Sequence, residues 1–379
     1  MQFTNAPLPD LKDLFRLFFT KNNFSEIDFT EIWTKADDDY FWLSKSAWSL
    51  YLIAKYRLKL RQKDTINVWV PSYFCNNSLN PLRTLKINLI FYPITKDGDP
   101  DIKLCEQLKL NYGNPDIFLA VHYFGTIANL KLTSRFTMES NAWLVEDAAH
   151  ILKLDSNIGQ YSQFLLFSPH KLLPIPDGAI LVVKRNNFNT REHFESIEFN
   201  KLYKSLIYRK QKGSNLISFI WILKRSLQII GFKRKNKNII NDDHIVHSLN
   251  NYTNTRMSIV SERLLFFYLE DLHKENEIRV QNCKAWLKAL RDKTDLEATE
   301  LFQKNKNCPY LLGLVFQDYE QTEYAFKFLI NKGVPVSTWP DLPPEVINNM
   351  NLYKEAISLR KSTLFIPVHR SVSLGKINF

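Results

Sequence analysis

Two short motifs place a carboxylate and an amine directly after apolar runs of the chain. Asp147 lies in Val145-Glu146-Asp147-Ala148-Ala149-His150, and Lys171 ends Phe167-Ser168-Pro169-His170-Lys171. Because each run is typical of a buried strand, we expect both groups at carboxyl ends of strands, where open α/β sheets bind ligands. A lysine amine can bond to the aldehyde of pyridoxal phosphate (PLP), and a carboxylate can keep the pyridine nitrogen protonated. The two motifs therefore predict a PLP site.

The elements around these motifs follow the pattern of an α/β sheet. Apolar positions recur with helical spacing from Ser44 to about Arg61, and short apolar runs alternate with helical stretches. Runs that are apolar throughout indicate strands covered on both faces, and their alternation with helices predicts a mostly parallel sheet. The predicted strands are Ile66–Val70, Ile87–Tyr92, Ile117–His122, Trp143–Glu146, Phe164–Phe167 and Ala179–Val183.

The remaining segments predict a second, smaller unit. A short helix is predicted at Leu11–Phe18, a long helical stretch from Ile259, a strand at Tyr310–Phe316 and a helix at Thr322–Asn331. We therefore expect an N-terminal arm and helix (1–43) joining the small domain, a large domain (44–245) and a smaller C-terminal α+β domain (246–379).

The chain resembles the DegT/StrS family of PLP-dependent sugar aminotransferases, which have the PLP-transferase type I fold. The resemblance covers about residues 40–375 and rests on an ordered set of motifs. Besides the Asp147 and Lys171 motifs, these are Ser44-Lys45-Ser46-Ala47, Val70-Pro71-Ser72-Tyr73, Val121-His122-Tyr123-Phe124-Gly125, Asn254-Thr255-Arg256-Met257-Ser258 and Phe365-Ile366-Pro367-Val368-His369. The resemblance implies an α/β protein with a mostly parallel central sheet, helices on both faces and bound PLP or its amino form, PMP.

The resemblance also implies roles for individual residues. Ser46 and Ala47 match a Thr-Ala pair at the helix start that binds the cofactor phosphate, and Ser168 replaces a phosphate-binding serine whose position is Leu166 here. His150 matches a Gln or His near the ring oxygen. Asn254 matches an asparagine that reaches the phosphate of the adjoining subunit, so the protein is expected to be a homodimer.

The aromatic residue that covers the cofactor in this family comes from the loop after the second predicted strand. The alignment places Cys75 at the commonest aromatic position, with Tyr73 and Phe74 close by. We include Tyr73 among the cofactor-binding candidates, while all three side chains are equally compatible with core positions.

Several of these residues also have a structural interpretation. Lys171 alone would be a solvated lysine, and Asp147 or Ser46 would suit the cap of a helix. His122 fits a scaffold position, and Glu146 fits a structural partner of a backbone amide.

Two glycine-containing motifs of the family are altered. The family's Ser-Gly-Thr is Ser44-Lys45-Ser46 here, and Gly-Glu-Gly-Gly is Pro176-Asp177-Gly178-Ala179, in a chain with only ten glycines. Since glycine is used where backbone approaches a ligand closely, these loops are expected to be reshaped. A divergent or inactive homologue with a binding or regulatory role, and a PLP enzyme with a non-sugar substrate, therefore stay open.

The positive charge of the chain is concentrated in one segment. Residues 199–240 contain eleven Lys and Arg and no Asp or Glu, which equals the net charge of +11 for the whole chain. With its apolar stretch around Trp221, this basic insert fits a peripheral membrane contact, a clamp for a diphosphate, or a solvated charged helix face with a stripe that packs in a dimer. No nucleic-acid-binding motif accompanies it, which argues against nucleic acid.

The cysteine content and the apolar pattern of the sequence indicate the cellular compartment. Four cysteines without paired spacing favour a reduced environment and argue against a disulfide framework or a zinc cluster. The sequence contains neither a signal-peptide pattern nor an apolar run long enough to span a bilayer. We expect a cytoplasmic protein, peripheral at the inner membrane surface if residues 199–240 contact lipid.

The predicted function is transamination of a keto sugar. By resemblance, the substrate is nucleotide-linked, the amino donor is a compound such as glutamate, and the product is an amino sugar for a bacterial surface polysaccharide. Sugar 3-dehydratases of the family carry histidine in place of the lysine. Lys171 therefore favours transamination over dehydration.

Overall fold

The computed structural model of the 379-residue protein describes residues 4–19, 30–62, 64–188, 194–208, 214–232, 254–302 and 308–372. The strands are β1 Asp39–Leu43, β2 Ile66–Pro71, β3 Ile87–Tyr92, β4 Ile117–Val121, β5 Trp143–Ala148, β6 Phe164–Phe167, β7 Ala179–Val183, β8 Thr299–Glu300, β9 Leu311–Val315 and β10 Thr363–Pro367. The helices are α1 Leu11–Phe19, α2 Ser46–Arg61, α3 Ile102–Tyr112, α4 Lys131–Glu139, α5 Pro169–Leu172, α6 Ser196–Ile207, α7 Ser214–Ile229, α8 Ile259–Leu269, α9 Leu272–Lys293, α10 Tyr319–Asn331, α11 Pro344–Ile347 and α12 Lys354–Ser362.

The main sheet contains seven strands in the order β1-β7-β6-β5-β4-β2-β3. The pairs from β3 to β6 are parallel, whereas β7 is antiparallel to both β6 and β1. All six predicted strands of this region are confirmed. The edge strand β1 was not predicted, because a five-residue segment containing Asp39 and Tyr40 carries little of the signal of a buried strand.

Apolar residues of the central strands pack on both faces of the sheet. In β6, Phe164 and Leu166 belong to one hydrophobic cluster, while Leu165 and Phe167 belong to another. Alternation of this kind follows from the two-residue period of a strand. Since α2 packs in the first cluster and α8 in the second, helices cover both faces, as predicted.

The second sheet has three antiparallel strands in the order β10-β9-β8. Trp286 of α9 and Phe326 of α10 pack with these strands in a third hydrophobic cluster. The long helical stretch predicted from Ile259 is two helices, α8 and α9. This sheet lies in the segment predicted as the small domain, whose boundaries stay a prediction.

The basic insert is described in part. It contains most of α6 and all of α7, while 209–213 and 233–240 lie outside the described residues. Most of the predicted basic run from Phe232 to Lys237 therefore falls outside them. Within the described ranges, no helix combines the length and the apolar character that crossing a bilayer requires.

Candidate active site

The two sequence motifs meet at the carboxyl ends of adjacent parallel strands. In the β5–β6 register, Asp147 pairs with Leu166 and Ala148 pairs with Phe167. The chain then leaves β6 through Ser168 into the single turn α5, which carries Lys171. The predicted juxtaposition of the carboxylate and the amine at this edge of the sheet follows directly from the register.

Lys171 is half-buried and lies beside a histidine of the other motif. Its Nζ is 3.2 Å from Nε2 of His150, and its backbone N–H donates to the Ser168 carbonyl at 2.9 Å. The alternative of a solvated loop lysine is therefore wrong, because the amine faces a buried ring.

Asp147 is a buried carboxylate with a single described hydrogen bond. Its Oδ1 accepts from the Ala149 N–H at 2.9 Å. Burial raises the pKa of Asp147, and the Lys171 ammonium, the Ala149 N–H and His122 oppose that rise. The alternative role as a helix cap is wrong, since β5 ends at Ala148 and a turn follows it.

His150 is held between two aromatic rings. It stacks on Phe124 with ring centroids 5.2 Å apart and on Tyr310 with centroids 4.6 Å apart. Its Nδ1 accepts from the Phe124 N–H at 3.2 Å. Burial, together with the charge of Lys171, holds the pKa of His150 well below its usual range. A neutral ring that accepts at Nδ1 carries its proton on Nε2, so its 3.2 Å contact with Lys171 Nζ is a hydrogen bond only when the amine is neutral and accepts.

The loop after β4 shapes this stack. Phe124 has a φ of 54°, in the left-handed region, and its carbonyl accepts from the Tyr310 N–H. A Cβ on Gly125 would lie 2.0 Å from the carbonyl oxygen of Cys308, so only glycine fits there. The Phe124-Gly125 pair of the sequence motif thus brings the segment around Tyr310 against the site.

The start of α2 meets the segment that contains Asn254. The cap position is Lys45, without a side-chain cap bond, so the predicted alternative of Ser46 as a cap is wrong. The Asn254 carbonyl accepts from the Ser44 hydroxyl and from Trp48 Nε1. Ser46, Ala47 and Asn254 of one chain are therefore neighbours, while the reach of Asn254 to an adjoining subunit stays a prediction.

Two predicted phosphate ligands carry buried polar atoms without a hydrogen-bond partner among the described residues. They are the hydroxyl oxygen of Ser168 and the side-chain oxygen of Asn254. Buried polar atoms are generally satisfied, so these two atoms are available to a ligand. Leu166, by contrast, is buried in β6 and cannot take the role of the family serine.

The two altered glycine motifs come together in space. Asp177 accepts hydrogen bonds from the Ser258 N–H and hydroxyl at 2.9 and 3.1 Å. Burial lowers the pKa of Lys45, and the charge of Asp177 opposes the decrease. Gly178 N–H donates to the Ser44 carbonyl at 2.8 Å. A half-buried Lys45–Asp177 arrangement thus stands where the family carries glycines, and the loss of those glycines was its only signal in the sequence.

The loop after β2 contributes its residues unequally. Tyr73 is fully buried and its ring stacks on Trp339 at 4.6 Å, so its cofactor role stays a prediction. The Cys75 thiol donates to Asp341 at 3.2 Å. Burial raises the pKa of Cys75 to about 12, and the Lys171 charge opposes the rise.

Several residues that converge here were not identified from the sequence. Tyr310, Trp339 and Asp341 come from the C-terminal third of the chain and reach the site only through the packing of that region. His122 and Glu146 hold each other in the scaffold, as predicted, with His122 Nε2 2.9 Å from Glu146 Oε2.

No family model and no curated protein sequence matches the chain. Solved structures match it over nearly its whole length. Spr1654 of Streptococcus pneumoniae, a candidate sugar aminotransferase in its PLP form, aligns with a TM-score of 0.71 and 14% identity over 99% of this chain and 96% of that chain. PseC of Helicobacter pylori, an aminotransferase involved in the biosynthesis of pseudoaminic acid, aligns with a TM-score of 0.69 and 15% identity over 99% of this chain and 96% of that chain. The E. coli GDP-4-keto-6-deoxy-D-mannose-3-dehydratase with bound hydrated PLP aligns with a TM-score of 0.65 and 15% identity over 97% of this chain and 96% of that chain.

These similarities confirm the predicted PLP-transferase type I fold. The neighbours are of the DegT/StrS kind that the sequence resembles. Because they include both aminotransferases and a dehydratase, the fold alone does not identify the reaction, which has to be argued from the side chains of the site.

Proposed function

We propose that the protein is a PLP-dependent aminotransferase that converts a keto sugar into an amino sugar. The observation that carries this proposal is the meeting of Lys171, His150 and buried Asp147 at the ends of β5 and β6. The solved neighbours, which are described as sugar aminotransferases or nucleotide-sugar dehydratases, support the same class of chemistry.

The residues present fit PLP. The unpartnered buried hydroxyl of Ser168 and the backbone at the start of α2, at Ser46 and Ala47, supply hydrogen-bond donors for a phosphate. Asp147 suits the pyridine nitrogen, and the protonated Nε2 of His150 suits the ring oxygen. Each part of the cofactor thus has a partner in the described residues.

When bound, PLP supplies an aldehyde for the amine and a ring that accepts electrons from the substrate carbon. Asp147 would place a negative charge near the pyridine nitrogen and so favour its protonated form. Lys171 would take up and return a proton of the substrate, as general base and then as general acid. His150 orients the amine, and the aromatic stack around it keeps water away from the transfer.

The partners follow from the same proposal. Lys171 stands where the related dehydratases carry histidine, which favours transamination over dehydration. In this proposal the acceptor is a nucleotide-linked keto sugar and the donor is an amino acid such as glutamate. We further propose a homodimer, in which Asn254 completes the phosphate site of the adjoining subunit. Contact of residues 199–240 with a membrane is also a proposal, and it rests on α7.

The test is an absorbance titration of the purified protein with PLP and then with glutamate. We expect a visible band on adding PLP, and its replacement by a band at shorter wavelength on adding glutamate. Lys171→Ala should abolish the visible band, whereas the matched control Lys131→Ala, on the surface of α4, should retain it. A band that ignores every amino donor, or no band at all, would favour the inactive homologue with its Lys45–Asp177 arrangement.

A further inference from the structure

Helix α7 has one face packed against the body of the protein. Trp221, Ile222 and Ile229 pack on the hydrophobic cluster that contains α8, and Ser218 is 4% exposed. At 100° per residue these four positions fall in one sector of the helix. This sector packs α7 against the protein, and the opposite side of the helix faces outward.

The outward face of α7 is apolar. It carries Phe219, Ile220, Leu223 and Leu227, which are 62, 52, 51 and 37% exposed, and Ile230, directly after the helix, is 69% exposed. Their spacing places them in a single sector that contains no charged residue. Surface helices of soluble proteins present polar residues outward, so a contiguous apolar stripe of this size indicates an interaction surface.

Helix α1 repeats the same arrangement. Leu14 and Leu17 pack on the cluster that also receives α7, whereas Leu11, Phe15 and Phe19 are 60, 67 and 72% exposed at a spacing of four residues. Two helices anchored on one cluster therefore both turn an apolar stripe away from it.

Charge identifies the partner of these stripes. Residues 199–240 contain eleven Lys and Arg and no Asp or Glu, and the rest of the chain has 39 residues of each sign. If α7 lay on a twofold axis, this segment would face its own copy and its like charges would repel. Nucleic acid would use the cations but not the stripe of large apolar side chains. An anionic lipid surface uses both.

We propose that α7, together with α1, docks the protein on an anionic membrane surface. The apolar stripes enter the boundary between headgroups and acyl chains, and Lys224, which is exposed on α7, contacts the lipid phosphates. This proposal does not depend on the catalytic activity, because none of the residues involved belongs to the site around Lys171.

The test is co-sedimentation of the full-length protein with vesicles of phosphatidylglycerol and phosphatidylcholine, compared with vesicles of phosphatidylcholine alone. We expect binding to the anionic vesicles that weakens as salt increases. The triple variant Ile220→Ser, Leu223→Ser, Leu227→Ser should bind about a hundredfold more weakly, since three apolar side chains no longer enter the lipid. Lys224→Gln should weaken binding about fivefold.

The matched control replaces apolar residues elsewhere that are more exposed than those of the α7 variant. Leu110→Ser, Leu132→Ser and Met138→Ser lie on α3 and α4 at 87, 60 and 66% exposure, and should leave vesicle binding unchanged. Circular dichroism should show that all variants fold. Equal binding of the α7 triple variant and its control would overturn the proposal. So would a triple variant that changes only the oligomeric state in light scattering, which would assign the stripe to a second copy of the chain.

Discussion

Two neighbouring carboxylates of β5 lie in opposite environments. Glu146 is 1% exposed and fully engaged, because its carboxylate contacts His122 Nε2 at 2.9 Å and accepts from the Gly159 N–H at 3.1–3.2 Å. Asp147 is also buried, but its described hydrogen bond is a single one from Ala149. Successive side chains of a strand point to opposite faces, so one motif serves two purposes.

This difference in bonding assigns a structural role to Glu146 and a chemical role to Asp147 at the end of the same strand. A buried carboxylate whose partners are all within the protein fixes the backbone around it. The Asp147 carboxylate is desolvated, incompletely hydrogen-bonded and close to Lys171, so a ligand that bonds to it can offset the cost of its burial. The same contrast holds for the histidines, since His122 bonds within the scaffold while His150 presents Nε2 to the amine.

The largest effect that would test this contrast is expected from Asp147→Asn. The variant keeps the shape of the side chain and loses the charge, so turnover should fall about a hundredfold to a thousandfold, as when preorganised charge is removed from an active site. The measurement is the rate of the glutamate half-reaction at saturating PLP. Glu146→Gln is the matched control, and equal losses in the two variants would contradict the division between the two faces.

Glu146→Ala should have the larger effect on stability. It leaves the His122 ring and the Gly159 N–H unpaired in the interior, and the free energy of unfolding should decrease by about 3 kcal/mol. Asp147→Ala should change it by less than about 1 kcal/mol, because burial already opposes the charge of that carboxylate. Urea unfolding followed by circular dichroism measures both, and the reverse order of the two variants would refute the comparison.

Acid should destabilise the protein through its buried neutral histidines. Burial and the nearby Lys171 and Lys45 charges lower the pKa of His170 to about 4, while an unfolded chain titrates near its usual value of about 6.5. The unfolded state therefore binds more protons between these values, and stability is lost as the pH falls. Between pH 6.5 and 5 this loss is about 1.5 kcal/mol for His170 alone.

The variant His170→Asn isolates that contribution from groups of opposite sign. The raised pKa values of Asp147 and Asp177 stabilise the folded state relatively as the pH falls, in both proteins alike. Unfolding free energies at pH 6.5 and 5 should therefore differ less in His170→Asn than in the unchanged chain. An identical pH dependence would show that the His170 ring does not titrate on unfolding.

The sequence predicts the sheet around the site better than it predicts the site's walls. Apolar runs define β2 to β7, and a lysine and an aspartate after two such runs locate the strand ends, because those signals are local. Tyr310, Trp339 and Asp341 reach the site through packing over more than a hundred residues, for which a single sequence carries no periodicity. The edge strand β1 escapes prediction for a related reason, since its pairing with β7 spans about the same separation.

The smallest effect is expected from His150→Gln. Gln is the other residue of the resembled family at this position, and its amide can donate to the cofactor oxygen, which is the role proposed for Nε2 of His150. Loss of the stacking on Phe124 and Tyr310 should slow the half-reaction by about tenfold or less, since a hydrogen bond to a charged group contributes about 1.5–3 kcal/mol and is largely kept. The measurement is the same stopped-flow absorbance change, with His150→Ala alongside. If His150→Gln and His150→Ala were equally slow, the imidazole ring itself would be required. If neither variant were slow, His150 would belong to the scaffold with His122. The contrast between the two faces of β5 would then rest on Asp147 and Lys171 alone.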